Sequence, residues 1–213
     1  MKRLAFCTLL VAGFVAQNLH AQQAAGNNRL SDDDGGVVQV VPVDAPPTIP
    51  ASPRTQAVMK SVRQVSIFLG AAWGEQETRA REPILSDLSG KLGELQKSHV
   101  AVLPAAPNVE DFSDLTQTSI NDLTIQRKLT EMLKNQALPA PNSATVYVVF
   151  LAPGVKSTVG GHVAGVQYAS YHSSLHTESG EVRYVVVPFS HNADHQANAA
   201  AQAIIETVFD SGR

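Results

Sequence analysis

Histidine is the residue type whose spacing most invites chemistry. Five of the seven histidines fall between residues 162 and 195. His172 and His176 are four apart, and so are His191 and His195. On a helix, side chains at i and i+4 share a face and can hold one metal ion together. His191 and His195 meet that condition only where the helix begins before His191. Asn192 stands where a zincin helix would carry its glutamate base, and an amide cannot take a proton from metal-bound water. His172 and His176 lie in a run that reads as a strand entering a turn, where four residues span about 13 Å. They converge only if the chain bends. His172, His191 and His195 are therefore the candidate ligands, zinc the candidate ion, and metal-dependent hydrolysis the chemistry they would serve. Polar residues in solvated loops around a sheet account for the same histidines without any site.

Other reactive types fall into weaker patterns. No Gly-x-Ser-x-Gly elbow occurs. Ser173, Ser174 and Ser190 neighbour histidines in sequence, but a nucleophile and its base are matched in space, not in sequence. Gly154, Gly160, Gly161 and Gly165 are not followed by Gly-Lys-Ser/Thr, so they read as a glycine-rich connection between strands and not as a phosphate loop. Trp73, Tyr168, Tyr171 and Tyr184 could line a ligand surface, although aromatic residues in strands more often serve packing.

The elements that must position these residues can be read from periodicity. Gln64–Gly70 is a short β-branched and apolar run ending in glycine, hence a strand. Leu85, Leu88, Leu92 and Leu95 mark one face of a helix, with Pro83 suited to its start. Asn121 or Asp122 can cap a second helix that carries Ile125, Leu129, Met132 and Leu133 and ends before Pro139. Strands are expected at Thr145–Leu151, Val166–His172 and Val182–Val187. The first and last of these are nearly unbroken apolar runs, as strands covered on both faces are. Ser190 or Asn192 opens a closing Ala-rich helix whose Ala201, Ile204, Ile205, Val208 and Phe209 point inward. The expected fold is one α/β domain over residues 55–213, a mixed sheet flanked by helices.

The C-terminal half carries a resemblance. The run Ala137-Leu-Pro-Ala-Pro-Asn-Ser-Ala-Thr-Val-Tyr-Val-Val-Phe-Leu-Ala-Pro-Gly154 is similar to the bacterial relatives of the Exordium/phosphate-induced protein family. So are Tyr171-His-Ser-Ser174, Val182-Arg-Tyr-Val-Val-Val-Pro188 and Gly70-Ala-Ala-Trp73. The resemblance implies an exported protein. It also implies a helix with His-Glu-x-x-Glu and a following Asp, a pattern like that of metallopeptidases. The matching stretch begins at Ala201 and keeps Glu206 and Asp210, but Gln202 replaces the ligand histidine and Ala203 the base. An amide oxygen is a poor zinc ligand, and a methyl group moves no proton.

The N-terminus and composition define the setting. Lys2 and Arg3 precede a 12-residue apolar run, Leu4–Val15, and a more polar stretch closing at Ala21. This is the anatomy of a cleavable signal peptide over residues 1–21, and the apolar run is too short to span a bilayer. Cys7, the single cysteine, leaves with it, excluding disulfides and thiolate chemistry from the mature chain. Loss of Lys2 and Arg3 moves the formal net charge from −3 to −5. Without a basic cluster, nucleic acid is a poor partner. Residues 22–54 read as a flexible leader rich in Asn, Gly and Pro; the Val37–Val43 patch could add an edge strand, but a linker is the favoured reading. Together these features predict a secreted or periplasmic, non-catalytic protein that meets an envelope or extracellular ligand without a cofactor or a transmembrane segment. The alternative is a metal-dependent hydrolase using the relocated histidines.

Overall fold

Unbroken apolar runs demand cover on both faces, and the computed structural model provides it for the central strands. It describes residues 29–31, 37–43, 57–111 and 119–209. In chain order the first elements are β1 (Arg29–Ser31), β2 (Val37–Val41), β3 (Ser61–Leu69), a 3-10 turn over Ala71–Trp73 and α1 (Glu75–Leu92). A 3-10 helix over Gly93–Ser98, β4 (Ala101–Val102), β5 (Val109–Asp111), β6 (Ser119–Asn121) and α2 (Asp122–Lys134) follow. The chain closes with β7 (Thr145–Leu151), β8 (Lys156–Val159), β9 (His162–Val163), β10 (Ser170–Thr177), β11 (Gly180–Val187) and α3 (Ala193–Phe209).

The main sheet has the order β1-β2-β10-β11-β7-β3-β4, and β5 also pairs with β3. β11, β7 and β3 run parallel, as do β4 and β5 beside β3. β10, β2 and β1 extend the sheet by antiparallel pairing. A second sheet joins β6, β8 and β9. The architecture is thus mixed α/β, as the periodicity predicted.

Alternation along the strands divides the core in two. Val146, Val148 and Phe150 of β7 meet Ile84, Leu88 and Leu92 of α1 and the alanines of α3. Tyr147, Val149 and Leu151 meet Ile125, Leu129 and Met132 of α2. The small side chains of α3 let the helix sit close to the sheet, where the Ser170 hydroxyl donates to the Ala199 carbonyl at 2.8 Å. The amides of Val58 and Met59 donate to the Val208 carbonyl, satisfying an acceptor that the helix end leaves open.

Three boundaries differ from those read in the sequence. Helix α1 starts at Glu75, so Pro83 lies inside it. Proline removes one helical hydrogen bond, but burial of Ile84 and Leu88 on either side of the next turn holds the helix to the sheet. The strand expected at Val166–His172 occupies Ser170–Thr177, because Gly165 takes a positive φ of 78° and turns the chain; Val166 is 73% exposed. The Val37–Val41 run, favoured as linker, is strand β2. Val38, Val40 and Val41 are buried, so burial supplied by β10 stabilises a segment that local composition alone would leave unordered. The proposed signal, residues 1–21, lies outside the described residues. Among the described residues no helix is long and apolar enough to cross a membrane.

Candidate functional site

Strand β10 places His172 on the face covered by α3, where it is 3% exposed. Its Nε2 lies 3.5 Å from Oε2 of Glu206. That separation permits an ion pair when the imidazole is protonated, but the atoms do not meet in hydrogen-bonding geometry. Glu206 is held from its other side by the Gln202 amide, which donates to Oε1 at 2.8 Å. Gln202 and Glu206 are one helical turn apart, so their contact is local. Ala203 is fully buried against the sheet. The helix position that resembles a metallopeptidase base therefore faces packed apolar side chains.

The other two candidate ligands do not join His172. Helix α3 begins at Ala193, after His191, and the helical i,i+4 geometry that would pair His191 with His195 is not formed. Asn192 explains the boundary: its Oδ1 accepts from the amides of Asp194 and His195 at 3.0 and 3.3 Å, the bonding of an N-cap. Ser190 Oγ in turn accepts from the Asn192 amide. His191 turns away to pack edge-on against Phe189. His195 lies on the exposed first turn, 11 residues before Glu206, about 16 Å along the axis. His172 and His176 share a continuous strand and stay apart. Among the described residues no group of three or more His, Cys, Asp or Glu side chains is placed to hold a metal ion. Asp210 lies outside the described residues.

A second polar cluster, between the sheet and α2, escaped the sequence reading. Asn121 caps α2 by accepting from the Thr124 amide at 3.1 Å, and the next residue, Asp122, is fully buried. The Tyr184 hydroxyl reaches both carboxylate oxygens, at 2.9 and 2.8 Å. Gln126 Nε2 donates to Asp122 Oδ2 at 2.6 Å, and the start of the helix favours negative charge there. Tyr171 is wholly buried nearby. Burial foremost, and then the charge of Asp122, raises the pKa of Tyr184 and of Tyr171 well above the phenol range. Tyr168 is pushed up to about 12 by burial, opposed by its hydrogen bond with Ser157. These phenols stay protonated at neutral pH; Tyr184 and Tyr168 act as donors, and all three pack the core. A tyrosine in the middle of an apolar strand requires a partner for its hydroxyl; that was the available signal, but the partner sits 62 residues away.

Open parallel sheets take ligands at the carboxyl ends of their strands, and here an aromatic chain fills that place. Trp73, at the end of the Gly70-Ala-Ala-Trp73 motif, is fully buried and donates to the Phe150 carbonyl at 3.1 Å. Its ring meets Phe68 at 5.1 Å and Phe189 at 5.6 Å, and Phe189 meets His191 at 4.9 Å. Beside it, Arg81 pairs with Glu110 and lies over the Phe68 ring.

Compared with family models, curated proteins and solved structures, the chain matches none of them.

Proposed function

We propose that this chain is an exported, non-catalytic α/β protein that works through a binding surface outside the cytoplasm or in the cell envelope, as a divergent relative of the Exordium-like proteins. The observation that carries the reading is the α3 arrangement. Gln202 donates to Glu206, Ala203 is sealed against the sheet, and His172 lies 3.5 Å from Glu206 without a hydrogen bond. Such a cluster joins helix to sheet, with an amide and a methyl group where the resemblance expects a metal ligand and a base. Trp73 supports the same reading, because it occupies the strand-end position where small substrates usually bind.

Thermal unfolding of the purified protein tests the reading. Ligands that bind only the folded state raise Tm, so the melting curve is expected to be the same with added zinc and with chelator. A zinc-dependent rise in Tm that disappears in His191→Ala or His195→Ala would favour the hydrolase instead. Export is tested separately by sequencing the N-terminus of protein recovered outside the cytoplasm. It is expected to begin at Gln22; retention of Lys2 and Arg3 would contradict the export step alone.

A further inference from the structure

Residues 101–111 run beside β3, yet not one of them is buried, whereas Val62 and Gln64–Leu69 of β3 all are. Main-chain bonds hold the segment in place. β4 pairs with Ser61 and Val62, and β5 with Ile67, Phe68 and Leu69. The amides of Ala101, Leu103 and Ala106 donate to the carbonyls of Lys60, Val62 and Gln64. Pro104 and Pro107 bring no amide hydrogen to this border. A cover with few ladder bonds and no buried side chain belongs to the low-stability end of a fold.

Two ion pairs fasten the C-terminal end of this segment. Successive side chains of a strand point to opposite faces, so Glu110 and Asp111 of β5 look to the two sides of the sheet. Glu110 pairs with Arg81 of α1, whose guanidinium lies over the Phe68 ring. Asp111 pairs with Lys128 of α2 at 2.9 Å. Phe68 belongs to the core under α1 and α3, and the apolar face of α2 to the other core. One cation from each helical layer therefore grips the same three-residue strand. The Asp111 carbonyl in turn accepts from the amide of Gly70, the residue that opens the Gly70–Trp73 turn.

We propose that residues 101–111 are a latch that opens as one unit while both cores stay closed, uncovering the edge of β3 and freeing the Gly70–Trp73 turn. Val102 and Val109 are only half-buried and touch the two cores from outside, so opening exposes little apolar surface. The helices stay where they are, because Ile84, Leu88 and Leu92 of α1 and Ile125, Leu129 and Met132 of α2 pack on the central strands. The two ion pairs set how rarely the latch opens. The device is independent of export and of whether α3 holds a metal.

Amide hydrogen exchange of the purified protein, followed by NMR, tests the latch. The amides of Ala101, Leu103, Ala106 and Gly70 are expected to share a similar protection, roughly tenfold or more below that of the β7 amides. Tyr184→Phe should lower protection in β7 by roughly tenfold and leave those four amides unchanged, because the Tyr184 contacts survive when the latch alone opens. The double variant Glu110→Gln/Asp111→Asn removes both ion pairs and should lower protection of the four amides by roughly threefold or more. Four amides as protected as β7, or lowered by Tyr184→Phe as much as β7, would overturn the proposal, since the segment would then open only with the whole fold. So would exchange at the rate of an unfolded chain, in which nothing is latched, or protection that ignores the loss of both carboxylates.

Discussion

Asp122 shows what single residues contribute. A carboxylate removed from water must regain its hydrogen bonds inside the protein, and Asp122 does so from Tyr184 and Gln126 at the start of α2. Tyr184→Phe deletes the shared hydroxyl and leaves the carboxylate short of a donor; the loss should be about 1.5–3 kcal/mol, read from denaturant unfolding. The chain has four tyrosines, and burial raises the pKa of every one, Tyr147 and Tyr168 from 10.0 to about 12 and the other two further in the same direction. A phenol whose pKa is higher folded than unfolded stabilises the fold while protonated. That stability is complete below the unfolded value of 10.0 and is lost as pH rises through the folded values. Phenolate absorbance of the native protein should therefore stay low past pH 10 and then rise together with unfolding. Gradual ionisation near pH 10 with the fold intact would contradict the burial. The residue types were legible in advance, but their pairing was not, because Asp122 and Tyr184 meet through tertiary structure alone.

Among the elements, α3 concentrates both the legible and the hidden. Its inward stripe and its opening at Asn192 follow from periodicity and capping. Asn192→Ala removes the acceptor for two amides and should cost about 0.5–2 kcal/mol, measured by thermal or chemical melts. Ala203→Glu offers a sharper contrast. In a metallopeptidase-like helix it would restore a base; here it forces a carboxylate into the buried face of α3. It should destabilise the protein by more than about 2 kcal/mol and confer no hydrolysis, whereas a stable variant would show that Ala203 borders accessible space. The end of β10 illustrates a limit of local reading. Val166 looks like a strand residue, but the left-handed Gly165 releases it to solvent, and polar Ser173–Thr177 becomes strand because β11 supplies its partners.

At the scale of the whole molecule, long apolar runs determined the centre of the sheet and short segments completed its borders. Strands β4, β5, β6 and β9 have two or three residues each, too few for a periodic pattern. They exist through pairing with distant partners, and that information is not local. The same holds for β2, whose Val38, Val40 and Val41 are buried only once β10 is in place. Trp73 joins the aromatic chain to the strand ends, and Trp73→Ala should remove about 3–5 kcal/mol, seen as a lowered denaturant midpoint with the cooperative transition retained. The histidine pairs showed the converse: spacing that suits a metal was dispersed by a helix starting two residues late and a strand that does not bend. Metal analysis of the purified, undialysed protein by mass spectrometry tests that separation most directly. Less than about a tenth of an equivalent of zinc, manganese, iron or copper per chain is expected, since the described ligands do not converge. One equivalent of any of them, lost in His172→Ala or Glu206→Gln, would contradict it.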